Sequence, residues 1–545
     1  MNLLLDPWIP VNRATGVTED IAPWQITETE NPVLRLAAAR PDFNGALLQF
    51  LIGLLQTACT PENDNDWADW LEQPPTPAQL KEAFNEYAFA FEAGPFGPGN
   101  EPRFMQDFDE IQSDLKPISN LLIDAPGAQT LKENKDHFVK RGQIEALCPI
   151  CATTGLFTLQ NNAPSGGAGH RTSLRGGGPL TTVVALDPEG GQLPDDLWRL
   201  VWLNVADQSG LNDLLLQSDK RNLSDLFPWL ASTRTSEKNT GVETSPADAH
   251  ALQAFWGMPR RIRLEWPVDN QESAPDGGLT HCDLCYRTTS LPIAHFTTQN
   301  YGTNYTGAWQ HPLSPHTFKE DGQPLPKHPQ PGGITYRHWL GLAMSRAGEQ
   351  ASLPVRLFNS NMRHRRLSNQ QLLIHAFGYD LDNAKARCWY QTTFPLFHIP
   401  QSIQTTFLIT AEKLVVAATE SANKTRHSIK EAWFKRPKDA KGDTHFLMEA
   451  FLTATESAFF DQLQALAEHL QQIPDDDTPC RRQWHTTLCQ ASRAQFEHWA
   501  LSGDLARGDP RRICEARKAL NIYLYDAKKG LPRTLGITME KEAAK

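Results

Sequence analysis

Two short cysteine pairs carry the strongest local chemistry in this sequence. Cys148 and Cys151 flank Pro149 and Ile150, and Cys282 and Cys285 flank Asp283 and Leu284. Each pair can place two thiolates on one metal ion at roughly 2.3 Å from sulfur to zinc, so two pairs supply the four ligands of a closed tetrahedral site. Such a site leaves no position for water, and the zinc is structural. The pairs lie far apart along the chain, so the ion pins distant segments together and its binding adds to folding free energy. A lone C-x-x-C can instead be a redox motif on a thioredoxin-like βαβ unit, but neither pair precedes an obvious helix in such a unit. Cys59, Cys388, Cys480, Cys489 and Cys514 read as ordinary thiols.

The second feature is the run from Asn161 to Pro179, in which six glycines surround His170, Arg171 and Arg175. Glycine lets backbone N–H groups approach a ligand closely and adopt positive φ. Arginine adds charge-assisted bonds to phosphate or a groove edge. The combination fits a nucleic-acid contact. A nucleotide P-loop is excluded because G-x-x-x-x-G-K-[ST] is absent.

The elements that must position these groups follow from length and patterning. The chain has 545 residues, beyond what one core normally serves. With 40% hydrophobic and 21% charged residues, it has ordinary globular composition. Its net charge of −11 excludes a protein that coats nucleic acid over its whole surface, yet the stretch 480–545 holds 13 Lys/Arg against 7 Asp/Glu. No signal-peptide pattern opens the sequence, and the most apolar run, 46–59, is too short to span a bilayer. The expectation is a cytoplasmic protein with no membrane segment. Residues 1–400 read as mixed α/β with many Pro/Gly-rich loops, strands at 181–186 and 261–266, a helix at 195–205 and a polar, mobile loop at 236–248. Helical periodicity follows at 411–434, 444–472, 480–501 and 511–531. The second stripe runs through Leu447, Phe451, Ala454, Ala458, Phe459, Leu463, Leu466 and Leu470, and the fourth through Ile513, Ala516, Leu520 and Tyr523. The predicted fold class is α+β: a large mixed α/β N-terminal domain (1–400) with a structural zinc site, then a C-terminal four-helix bundle (401–545).

In this order the motifs resemble those of the CasA family, the large subunit of the type I-E CRISPR complex Cascade. The resemblance rests on Met1 to Val11, on Glu145 to Cys151, and on Asn162 to Pro164 running on to Ser173, Gly177, Pro179 and Thr182. It continues with Phe255, Trp256 and Pro259, the second cysteine pair, Trp309 to Pro315, and the C-terminal helices. It implies a non-enzymatic subunit that reads the protospacer-adjacent motif (PAM) of double-stranded DNA, promotes R-loop formation and recruits a helicase-nuclease. The implied partners are the other Cascade subunits, the CRISPR RNA and target DNA; the implied cofactor is structural Zn2+.

Residue by residue, the resemblance implies a DNA-reading loop at Gly166, Gly167, Ala168, Gly169 and His170, with Ala168 where the family often has glycine. Asn300 stands where a family lysine enters the minor groove. Asn383 stands at the tip of the hairpin that wedges the duplex, and Asp382 beside it would be repelled by phosphate. His137, Phe138 and Lys140 resemble the segment that touches the RNA handle. Independently of the family, Arg481, Arg482, Arg493, Arg511, Arg512, Arg517 and Lys518 are candidates to hold the displaced strand. Arg363 to Arg366 form a second candidate basic patch. The competing class is a zinc-dependent nuclease or hydrolase. Catalytic zinc usually keeps an open position beside three protein ligands, whereas four cysteines fill the site, and no H-E-x-x-H occurs.

Overall fold

The computed structural model describes residues 1–97, 99–127, 131–132, 142–167, 169–214, 222–267, 280–359, 361–382, 385–439, 442–501 and 509–538. The chain forms two compact units. One comprises Met1–Gln330 with Ser345–Thr393, the other Pro331–Met344 with Phe394–Lys545.

The first unit opens with strands β1 (Ile9–Arg13), β2 (Thr18–Ile21) and β3 (Val33–Leu36), ordered β2-β1-β3. The apolar run then forms α1 (Pro41–Ala58), with proline at its first position, where no N–H is needed. Burial on nearly every side makes α1 a core helix, and no helix among the described residues is long and apolar enough to cross a membrane. Phe50 at its centre meets Trp8, Phe91, Phe104, Phe157 and Trp256 edge-on, with ring centroids 5.2–6.0 Å apart. Each such pair contributes about 0.5–1.5 kcal/mol beyond burial of its area. Gly53 costs α1 about 1 kcal/mol in helix propensity. Its compensation is close approach: a Cβ there would lie 3.0 Å from Phe255.

Three elements beyond α1 position the candidate residues. Strand β4 (Lys116–Pro117) is followed by α2 (Pro149–Asn162), whose Phe157 is one of the rings on Phe50. Strand β5 (Thr181–Leu186) is buried at all six positions. Strand β6 (Arg261–Glu265) precedes a tight hairpin, β7 (Thr280–His281) with β8 (Thr288–Thr289). Strand β9 (His295–Gln299) then pairs antiparallel with β4 and β6. Finally β10 (Leu372–Asp382) pairs antiparallel with β5, from Leu372 opposite Leu186 to Phe377 opposite Thr181, and β11 (Lys385–Leu396) forms the outer edge of that sheet.

The second unit is helical: α3 (Gln404–Trp433), α4 (Phe446–Gln472), α5 (Thr478–Leu501), α6 (Pro510–Tyr525) and the short α7 (Leu531–Leu535). Helix α3 packs on each of the next three. The buried face of α4 differs from the predicted stripe. Ala454 is exposed and Ala458 half-buried, while Met448, Leu452, Thr455 and Phe460 face inward. Thr455 hides its hydroxyl by donating to the Phe451 carbonyl (2.9 Å) and meeting the Tyr336 hydroxyl (2.8 Å). On α6, Leu524 is buried where Tyr523 was expected. The segment Pro331–Met344 joins this unit through two large rings. Tyr336 stacks on Phe459 at 4.4 Å, and buried Trp339 donates its indole N–H to the Pro395 carbonyl (2.8 Å).

Candidate metal centre and nucleic-acid interface

The fold brings the two cysteine pairs together. All four sulfurs lie within 4.8 Å of one another, and Cys148 Sγ is 3.7 Å from Cys285 Sγ. Zinc at about 2.3 Å from each sulfur requires sulfur–sulfur edges of roughly 3.8 Å, so the donor set fits a tetrahedral ion. Cys148 is the N-cap of α2, its sulfur accepting the Cys151 N–H (3.4 Å) with Pro149 at the first helical position. The first pair therefore does open a helix, though one outside any βαβ unit. Cys282 and Cys285 sit in the β7–β8 knuckle, closed by Cys282 N–H to the Arg287 carbonyl (2.9 Å) and by Tyr286 at φ +60° donating to the Cys282 carbonyl. Asp283 staples the halves together by accepting the N–H groups of Glu145 and Ala146 (2.7 and 2.8 Å). Hydrogen bonds from Cys148 and Cys151 hold Cys282 far below the usual thiol range and Cys285 at about 7, while the same crowding pushes Cys151 far up. Cys148 is pushed far up as well, so two of the thiols ionise readily and a metal ion must displace the protons of the other two. No histidine or carboxylate joins the group found among the described residues.

Helix α2 runs from these sulfurs to the glycine-rich segment. Its end is stitched by Ser173 N–H to the Ala163 carbonyl (3.0 Å) and Gly178 N–H to the Asn162 carbonyl (3.1 Å). Within that loop, Gly166 N–H meets the His170 carbonyl (3.3 Å) and His170 N–H the Gly167 carbonyl (3.2 Å), making a tight turn. Gly166 and Gly167 are exposed, and Gly167 and Gly169 both take φ +81°. The turn rests on Asn300 and Tyr301. The Tyr301 N–H donates to the Gly169 carbonyl (2.7 Å), and a Cβ at Gly169 would lie 2.8 Å from that nitrogen and 3.0 Å from Asn300 Cβ. Glycine is thus required at 169 on both counts. Burial, then Arg260 and Lys116, lowers the pKa of His170 below its ordinary value. Ala168 lies outside the described residues.

Several supporting groups were not visible in the sequence. Ser236, placed in a mobile loop by composition, is buried and donates to the Gly302 carbonyl (2.6 Å). Its own hydroxyl and carbonyl accept Arg171 (2.7 and 3.0 Å). Arg171 therefore braces the turn. Arg175 is interior: its guanidinium reaches Gln49 (2.5 Å), Thr181 (3.0 Å) and Ser314 (3.2 Å), and burial holds its pKa down to about 9. It cannot be the groove contact that its place in the loop suggested. Arg363 is likewise buried, stacked 4.0 Å from the Trp67 ring centroid and 3.1 Å from Asp64, which removes it from an open basic patch.

The remaining candidates are dispersed. Asn383 lies between β10 and β11 but outside the described residues, as do His137, Phe138 and Lys140. Asp382 is not left to repel phosphate alone, since Arg387 lies 3.5 Å away and also grips buried Asp380 (3.1 and 2.6 Å). On the helices, Arg481 caps the carbonyls of Leu535 and Gly536, and Arg512 those of Ala432 and Trp433. Arg493 meets Asn521 and Tyr525, Arg511 pairs with Glu515, and Arg517 with Glu497. Arg482 and Lys518 are exposed and take no ion-pair partner among the described residues.

This architecture recurs in solved CRISPR-associated proteins. It is similar to Thermobifida fusca Cse1 over 99% of both chains (TM-score 0.68, 16% identity). It is similar to Thermus thermophilus CasA (Cse1) over 96% of this chain and 99% of that one (TM-score 0.64, 15% identity). A chain of a structure described as a CRISPR RNA-guided surveillance complex matches over the same shares (TM-score 0.64, 14% identity). At such identities the likeness is one of fold. The family model for CRISPR-associated protein Cse1 matches residues 2–495, and the chain belongs to that family.

Proposed function

We propose that this chain is the large, non-enzymatic subunit of a type I-E Cascade, acting in the cytoplasm with the other subunits and a CRISPR RNA. It reads the PAM of target double-stranded DNA, helps open the duplex into an R-loop and recruits the helicase-nuclease. One observation carries the reading. A turn of exposed glycines, Gly166 and Gly167, is held rigidly on Asn300 and Tyr301 at the far end of a helix whose start is a four-cysteine cluster. Backbone without side chains can approach a groove edge closely, and minor-groove readout of this kind discriminates mainly A·T from G·C. The sulfur cluster acts as a structural zinc anchor for α2. Membership of the Cse1 family and fold similarity to a chain of an RNA-guided surveillance complex support the same reading.

In this reading Asn300 reaches the groove without a charge, Asn383 tips the wedge, and His137, Phe138 and Lys140 meet the RNA handle. The C-terminal helices act as a four-helix bundle supporting the displaced strand through Arg482 and Lys518, which are exposed and, like Arg493, take no ion-pair partner among the described residues; Arg493 is instead engaged by Asn521 and the Tyr525 ring. A zinc nuclease is disfavoured because four sulfurs satisfy the ion without water. The test is to reconstitute the guide-loaded complex with and without this chain and measure binding to duplexes differing only beside the target. Flanking-base preference should appear only with the chain present. Equal preference without it would refute the proposal.

A further inference from the structure

We infer that the Gly166–Gly167 turn is also an anion site, in which Arg260 holds a phosphodiester of the flanking DNA duplex. This inference rests on the proposed function and assigns one residue a role that the glycine turn alone does not supply. Arg260 immediately precedes β6. Its backbone is fixed by Gln160 on α2, which accepts the Arg260 N–H (3.0 Å) and donates to its carbonyl (3.0 Å). The side chain runs beneath the turn. A Cβ built on Gly166 would lie 2.6 Å from His170 Cβ, 2.7 Å from Nη1 and 3.2 Å from Nη2, so the guanidinium packs directly against the bare backbone of the turn.

Arg260 is 9% exposed, yet no carboxylate answers it. Nη2 donates to the Pro164 carbonyl, Nε has no acceptor, and among the described residues the side chain makes no ion pair. Burial alone accounts for its pKa, held down to about 10. A buried charge without a counter-ion is costly, and an arriving anion would offset that cost. The other groups facing the spot point the same way. Lys116 on β4 also takes no ion-pair partner among the described residues, and with Arg260 it depresses His170. The N–H groups of Gly167 and Gly169 have no acceptor among the described residues, and both glycines sit at φ +81°. Phosphate is the anion that duplex DNA presents, and phosphate contacts set orientation without reading sequence. Arg260 is therefore assigned a positioning contact beside the base-reading turn.

The experiment compares guide-loaded complexes carrying wild type, Arg260→Gln or Arg260→Lys, measuring DNA affinity between 50 and 200 mM salt on duplexes with several flanking motifs. Removing one phosphate-binding cation lowers the log–log salt slope by about 0.9, so the advantage of wild type over R260Q should shrink by about 3.5-fold across that range. The loss should be equal for every motif, and R260K should retain most of the slope. Thermal unfolding and metal content of the variants establish that they fold. An unchanged slope in folded R260Q overturns the assignment. A loss that varies with the motif overturns it too, since Arg260 would then act through base reading. If R260Q instead weakens joining of the chain to the guide-loaded core without DNA, the phosphate belongs to the RNA and the DNA assignment fails. If wild type shows no motif preference while the slope still falls, the proposed function fails and this site stands.

Discussion

Replacing Cys282 by serine removes one sulfur from the cluster and leaves Cys148, Cys151 and Cys285 with three-quarters of a zinc site. In the proposed site a zinc ion would tie the β7–β8 knuckle to the start of α2 and so close a loop of about 130 residues between Cys151 and Cys282. A cross-link over such a loop restricts the unfolded chain by about 5 kcal/mol in the chain-entropy treatment. Protein bonds across the same junction survive the substitution: Asp283 to Glu145 and Ala146, and the pairing of Leu147 with Ile293. Each contributes about 1 kcal/mol, so the knuckle stays near its place in the folded state. The expected net loss is about 3–5 kcal/mol. Elemental analysis should find one zinc per wild-type chain and almost none in C282S. Thermal unfolding followed by tryptophan fluorescence should show a marked downward shift. A strong chelator should reproduce that shift in wild type and do little to the variant. C282S that retains its metal, or a wild type indifferent to chelation, would refute the reasoning.

Acid should destabilise the first unit. His311 and His316 are buried, and burial, then neighbouring arginines, holds His316 at about 3 and His311 well below 6.5. The folded state therefore binds fewer protons than the unfolded one. Stability is full above about pH 6.5 and falls with acid by about 2 kcal/mol per histidine between pH 7 and pH 5; urea unfolding at several pH values checks this, and a flat profile contradicts it. Charge reversal of both Arg482 and Lys518 to Glu should flatten the salt dependence of R-loop formation by roughly 0.7 for each strand phosphate no longer neutralised. An unchanged slope takes these helices off the DNA path. Arg512→Ala should instead lower stability by about 1–2 kcal/mol, because the carbonyls of Ala432 and Trp433 lose their donor, while leaving that slope alone.

The gathering of the four cysteines was legible in the sequence because ligand spacing is a local signal, and each C-x-x-C pair presents itself within four residues. The four long helices were legible from periodicity, though Ala454 and Thr455 exchanged places on α4. Alanine says little about facing, and threonine can be buried once its hydroxyl bonds to the preceding turn. Failures came where a charged or polar residue's surroundings are assembled from distant segments. Arg175 and Arg363 look like surface cations in sequence. Only Gln49 and Ser314, or Trp67 and Asp64, show them to be interior. Ser236 sits in a polar run, yet its bond to Gly302 makes it part of the platform under Tyr301. The same holds for Arg260, which lies next to a predicted strand and nearly a hundred residues from the turn it underlies. Residues 331–344 fell inside the predicted N-terminal stretch 1–400, and only the rings of Tyr336 and Trp339 assign them to the helical unit.

The central claim is that the glycine turn senses the bases beside the target. Gly169→Ala tests it most directly, since a methyl there would sit 2.8 Å from the Tyr301 nitrogen at a φ of +81°, forcing the turn off its platform. Binding of guide-loaded complexes to a panel of duplexes that vary only in the flanking motif gives the readout. We predict that G169A loses at least tenfold on the preferred motif and binds all motifs nearly alike, with metal content unchanged. Retention of the wild-type preference order by a folded G169A complex would contradict the account.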